Sequence, residues 1–160
     1  MGKRNRSLII EPSVFFVTSS FKNWVPLFST HSVTEKVEDL LFHLFPSYAD
    51  TLMGYVLMPS HVHFLVGCRG GGNQLSKFMK TFKSLSARKF FPGVGSIWIE
   101  RFDDLRITTE KQLWIKLNYI HENPVRKGLV SKAIDWPWSS ARFWILNEQK
   151  GVLTKEWDWL

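Results

Sequence analysis

The sequence predicts an α+β fold: a ferredoxin-like split βαβ antiparallel sheet, with an extra C-terminal helix carried across the sheet face that such a fold leaves open. Three observations predict it. Apolar periodicity switches between the strand and helix periods in the order β-α-β-β-α-β-α. Two successive strands meet at a tight turn, Pro59–Ser60, and so form an antiparallel hairpin. The second strand, "HVHFLVGC", puts His61, His63 and Leu65 on one face and Val62, Phe64 and Val66 on the other. Its apolar set belongs against two helices, which leaves the histidine set to the third.

Each element has its own cause. "SVFFVTSS", Ser13 to Ser20, is β-branched and aromatic, the composition of a strand. "SVTEKVEDLLFHLF", Ser32 to Phe45, opens on a helix-start signal and carries an apolar stripe at Val33, Val37, Leu40, Leu41 and Leu44. After the hairpin, "RGGGN" reads as a flexible loop. "QLSKFMKTFKSLSARKFF" is a helix with Leu75, Phe78, Phe82 and Leu85 on one side and Lys77, Lys80 and Arg88 on the other. "FPGVGS" turns the chain, and "IWIERF" supplies the fourth strand. "TTEKQLWIKLNYIHEN" makes the third helix, Thr109 to Asn123, which Pro124 should close and Asn123 should cap. No repeat, low-complexity segment or long linker divides the chain. Residues 1–160 are therefore expected to form one domain, with a core over about 13–130 and an aromatic-rich tail over 131–160.

Composition bounds the function. Hydrophobic residues make up 44% of the 160, with 13 Phe and 8 Trp, which excludes a disordered tail. Cys68 is the single cysteine, so no internal disulfide can form and a reducing cytoplasm suits the chain. The basic start "MGKRNRSLIIEPSVFFV" is interrupted at Glu11 and Pro12, which leaves no signal-peptide core, and no stretch is long and apolar enough for a membrane helix. No membrane partner is expected. The formal net charge of +7 favours an anionic partner, of which nucleic acid is the commonest, and a cytoplasmic, nucleoid-associated protein is expected. Lys77, Lys80, Lys83, Arg88 and Lys89 are candidates to track a phosphate backbone, with a solvated helix face as the rival reading. "RFDDL" offers Arg101 or Asp104 to the edge of a site, and Trp98 is a candidate to stack on an unpaired base.

The histidine pair poses the chemical question. A buried imidazole without a partner costs on the order of 2–7 kcal/mol. Two on one strand face suggest a shared partner, and two imidazoles can converge on one metal ion. Satisfied core histidines are the alternative. On the third helix, Tyr119 and Asn123 stand at i and i+4 and so share a face, with His121 nearly opposite. That face offers a phenol and an amide oxygen to the two imidazoles. A hydroxyl nucleophile beside a metal is equipment for attack on a phosphodiester. The alternative is that Tyr119 is a core aromatic with its hydroxyl satisfied. His31 and His43 have no second ligand at metal spacing and read as structural.

The motifs "MPSHVHFLV", "YIHENPVRKGLV" and "WPWSSARF", in this order, resemble the single-tyrosine HUH transposases, the insertion-sequence-200-like group, and within it the REP-associated tyrosine transposase branch. The resemblance runs from about Val14 to Phe143. It implies that His61 and His63 hold a divalent metal, that Asn123 takes the position of a third ligand, and that Tyr119 is the nucleophile. It also implies cleavage of single-stranded DNA through a 5′-phosphotyrosine intermediate that leaves a free 3′-hydroxyl, at hairpin-bearing repetitive DNA and without an energy cofactor. Either Mg²⁺ or Mn²⁺ would serve, and the two nitrogen ligands suit Mn²⁺ at least as well. The "RGGGN" loop and the final "EWDWL" match no motif. A monomer and a homodimer are both compatible with the sequence. Two other functions stay open: a non-catalytic nucleic-acid-binding module on the same fold, and a small metallohydrolase.

Overall fold

In the computed structural model of the chain, residues 5–156 are described. The last four residues of "EWDWL" lie outside that range. Four strands, β1 (Ser13–Ser20), β2 (Thr51–Leu57), β3 (His61–Cys68) and β4 (Asp103–Ile107), form one antiparallel sheet in the order β2-β3-β1-β4. This is the ferredoxin-like order that the sequence predicts. Helices α1 (His31–His43) and α2 (Gly71–Phe90) pack on one face around Phe15, Val17, Val62, Phe64, Phe78 and Phe82. Helix α3 (Glu110–Arg126) covers the other with Leu113, Leu117 and Ile120 against Val14, Phe16 and Leu65. The alternation of β3 thus decides the architecture, because each of its faces meets a different helical layer. A short helix, α4 (Ala141–Leu146), lies in the tail.

Three elements differ from the sequence expectation. The fourth strand is "DDLRI", Asp103–Ile107, and not the more apolar "IWIERF" before it. Ile97 and Trp98 are instead buried plugs, and Trp98 stacks with Phe21 and donates Nε1–H to Ser86 at 3.1 Å. An edge strand can be polar because its outer face and rim meet water. Asp104 is balanced there by an ion pair with Arg6.

"RGGGN" is not a loop. Gly71 and Gly72 are buried and open α2, where the segment Arg6–Ile9 crosses them. A Cβ at Gly72 would stand 1.9 Å from the Arg6 carbonyl oxygen, so only glycine admits that crossing.

Helix α3 runs through Pro124 to Arg126, so Asn123 is no cap. Burial of Leu113, Leu117 and Ile120, roughly 1.5–3 kcal/mol each, exceeds the ~3 kcal/mol that a helical proline costs.

The tail guards the exposed edge of β2. Leu57 N donates to Trp138 O at 2.9 Å, Ser140 N to Tyr55 O at 3.0 Å, and Thr154 N to Leu52 O at 3.1 Å. Pairing groups that would otherwise template aggregation are satisfied within the chain. Among the described residues no helix is long and apolar enough to cross a membrane.

Candidate active site

The register of β1 on β3 builds the site's floor. Phe16 pairs with Leu65, Thr18 with His63 and Ser20 with His61, all on the α3 side of the sheet. His61 and His63 are both buried, and their rings meet at 4.9 Å between centroids. Each ring is held through Nδ1 by a hydroxyl: His63 by Thr18 Oγ1 at 2.8 Å and His61 by Ser60 Oγ at 3.2 Å. The Val17 backbone also favours an N–H on the His63 ring. An Nδ1–H donated on that side leaves Nε2 with its lone pair facing α3.

Burial lowers the pKa of His61 to about 4, with the Lys127 charge adding to the effect and the Asn123 amide opposing it. Burial lowers that of His63 to about 3, helped by His61, Lys116 and Arg126 and opposed by Val17. Both rings are neutral near pH 7, as ligation requires.

Helix α3 supplies the roof. Asn123 is buried against His61, close enough to favour its protonation, yet Oδ1 makes no hydrogen bond of proper geometry. One turn earlier, Tyr119 is 38% exposed and sets its ring edge-on to His63 at 5.3 Å and to Phe16 at 5.8 Å. The Arg126 guanidinium lies 4.4 Å over the Tyr119 ring, and Lys116 Nζ lies 5.4 Å from it. A phenol flanked by two cations stands where a phosphate would be drawn.

The donor set fits a divalent metal. His63 Nε2 and Asn123 Oδ1 are buried with no hydrogen-bond partner. Orphaned buried acceptors are rare in native proteins and call for an explanation, which a shared cation would provide. Two imidazoles and an amide oxygen would hold it, a set that suits Mn²⁺ and admits Mg²⁺. Among the described residues no group of three or more His, Cys, Asp or Glu side chains is placed to hold a metal ion.

The structure therefore brings together His61, His63, Tyr119 and Asn123. It does not bring the basic residues of α2 to them. Lys77, Lys80 and Arg88 are exposed on α2, on the far side of the sheet. Lys83 holds the backbone oxygens of Ile99 and Glu100, at 2.6 and 2.9 Å. Arg101 is exposed in the bend that leads into β4. Asp104 pairs with Val17 and so faces α1 and α2; the neighbour on the histidine side is Asp103, opposite Thr18. Trp98, 4% exposed, is closed to a base. His121 is buried and bonded through Nε2 to Ser140 at 2.9 Å, which makes it a structural link to the tail.

Sequence reasoning missed Thr18, Ser60, Lys116, Arg126 and Lys127. The last two lie within "ENPVRKGLV", and the signal for Arg126 was its helical spacing of seven from Tyr119.

A family model described as "Transposase IS200 like" matches residues 16–123, more than half of the chain. A curated REP-associated tyrosine transposase of Escherichia coli (strain K12) is 29% identical over 86 residues, 54% of this chain and 51% of the relative. A second curated relative, from Haemophilus influenzae, is 44% identical over 46 residues, 29% of this chain and 26% of the relative. The chain thus matches about half the length, or less, of these curated relatives. A solved structure of a REP-associated tyrosine transposase bound to a REP hairpin superposes with a TM-score of 0.68 at 21% identity. It covers 98% of this chain and 93% of that one, a likeness of fold.

Proposed function

This chain belongs to the IS200-like transposase family, and from that premise we propose that it is a metal-dependent single-strand DNA endonuclease and strand transferase with Tyr119 as its nucleophile. The observation that carries the reading is the pair of buried, partnerless acceptors, His63 Nε2 and Asn123 Oδ1, beside an accessible phenol. Neither a binding module nor a satisfied core needs that combination.

Tyr119 Oη attacks the phosphorus of a phosphodiester. An O–P bond forms to the 5′ side of the DNA, the bond from phosphorus to the 3′-oxygen breaks, and the proton lost by the phenol is balanced by the one gained at the free 3′-hydroxyl. A bound Mg²⁺ or Mn²⁺, held by His61, His63 and Asn123, would polarise a phosphate oxygen and spread the developing charge. Arg126 and Lys116, beside the Tyr119 ring, attract the phosphate. Because a phenol is far more acidic than a sugar hydroxyl, with a pKa near 10, the phosphotyrosine is itself displaceable, and a 3′-hydroxyl can reseal or transfer the strand. The substrate is hairpin-bearing DNA. What supports this is the REP-associated character of the Escherichia coli relative and the REP hairpin bound in the similar structure.

The test compares Tyr119→Phe with His63→Ala on a hairpin-bearing single strand across a Mn²⁺ titration, scoring covalent protein–DNA adduct on a denaturing gel. Wild type should form adduct. Tyr119→Phe should form none at any metal concentration yet still bind DNA. His63→Ala should lose adduct at low Mn²⁺ and regain part of it at high Mn²⁺. Adduct formation by Tyr119→Phe at a rate near wild type would assign the phenol to the core and sink the mechanism.

A further inference from the structure

We propose that Trp24 is a stacking platform for one particular base: that of the nucleotide that leaves with the 3′-hydroxyl, on the 5′ side of the cut. The inference rests on the reading of Tyr119 as nucleophile and adds the position of the departing strand.

Trp24 is 58% exposed, a large apolar ring left in water. Its backbone is in the left-handed region, φ 54°, directly after Asn23 at φ 56°. Asparagine tolerates that region, but a bulky aromatic there is a true outlier, costing on the order of 1–3 kcal/mol. The turn is pinned from several directions. Phe21 N donates to Ser60 O at 3.0 Å, Lys22 N to Ile97 O at 2.8 Å, and Phe28 N to Pro59 O at 3.1 Å. Phe21 and Phe28 are buried beneath it and stack edge-on at 4.7 Å. A rigid base therefore holds an exposed indole in a conformation that nothing local favours.

What the indole faces gives it a purpose. Its ring meets His61 at 5.5 Å. The site is then a row of rings: Tyr119 to His63 at 5.3 Å, His63 to His61 at 4.9 Å, His61 to Trp24 at 5.5 Å. The strand register shows that this row is extended. Tyr119 also touches Phe16, level with Leu65, while His63 is level with Thr18 and His61 with Ser20, and Trp24 lies beyond the end of β1. Phenol and indole stand at opposite ends, with the histidine pair between them.

Displacement at phosphorus keeps the attacking and leaving oxygens roughly in line. With the phosphate at the histidine pair and Tyr119 attacking from one end, the 3′-oxygen departs toward the other. The nucleotide carrying it arrives beside Trp24. An indole is sequence-tolerant because every base has a π-face. It would hold the released 3′-end close for rejoining.

The experiment first locates the cut from the 5′ end of the DNA in the wild-type adduct. Oligonucleotides then carry 2-aminopurine, whose fluorescence is quenched by stacking, on either the 5′ or the 3′ side of that position. They are bound, with Mn²⁺ present, to Tyr119→Phe and to Tyr119→Phe with Trp24→Ala or Trp24→Phe, so that the strand stays whole. The 5′-side probe should be quenched with Trp24 or Phe and bright with Ala, and affinity should fall about tenfold with Ala. The 3′-side probe should not respond to residue 24. Equal quenching with and without the ring, or a response confined to the 3′ side, would overturn the inference while leaving the nucleophile in place. Absence of adduct from wild-type protein would remove the nucleophile and this inference with it.

Discussion

A histidine proposed as a ligand depends on the bond its other nitrogen makes, and for His63 that bond reaches across strands. Thr18 and His63 are 45 positions apart in sequence and 2.8 Å apart in space. Thr18→Val keeps the side-chain shape and removes the hydroxyl. Mn²⁺ affinity, measured by titration calorimetry, should fall roughly 10- to 100-fold with the fold intact. Unchanged affinity would show that the Val17 carbonyl alone orients the ring. The histidines were legible because they are polar in an apolar strand, and Tyr119 with Asn123 because the helical repeat stacks them. Thr18 was not legible. Its role depends on which residue of β1 lies opposite His63, and no local pattern states a register. Trp24 was hidden for a related reason, since its value lies in a backbone conformation its own residue type disfavours.

At the level of elements, periodicity located the three long helices and three of the four strands, missed the short α4 in the tail, and failed where tertiary contacts overrode local preference. "IWIERF" has the composition of a strand, but Ile97 and Trp98 are used to plug the aromatic core, and the polar "DDLRI" takes the edge. Three glycines read as a loop until the Arg6–Ile9 segment is laid across two of them. This makes a measurable claim. Gly72→Ala should lower the urea midpoint by an amount equivalent to roughly 1–3 kcal/mol with an unchanged slope, as overpacking does. Gly70→Ala, which meets only the flexible Gln74 side chain, should be near neutral. Equal midpoints for the two variants would mean that the amino-terminal crossing is not part of the folded core in solution.

Across the described residues, two groups of basic side chains lie on opposite sides of the sheet. Lys77, Lys80 and Arg88 lie on the α2 side of the sheet, while Lys116, Arg126 and Lys127 ring the histidines on the α3 side. Composition gives the sum of the charge and cannot give its division. Strand affinity should fall with salt through counterion release, and each phosphate that the protein no longer neutralises flattens the slope by about 0.7 for single strands. Replacing Lys116, Arg126 and Lys127 together by alanine should flatten it by about 2, whereas the α2 triple variant should leave it close to wild type. The reverse result would carry the DNA over α1 and α2, away from the proposed nucleophile.

The cross-strand assembly of the site also sets when the proposed chemistry first becomes possible in a newly made molecule. Its parts come from β1, the start of β3 and the last turns of α3, and each is held by the register or packing of the others. During synthesis none of the proposed cutting chemistry can exist until Asn123 has left the ribosome and α3 has docked. A fragment lacking α3 has no nucleophile; one lacking β1 has nothing to orient His63; a strand slipped by one residue turns both imidazoles toward α1 and α2. Copies that lack β1, β3 or α3, or that pair them out of register, would consequently lack the proposed chemistry.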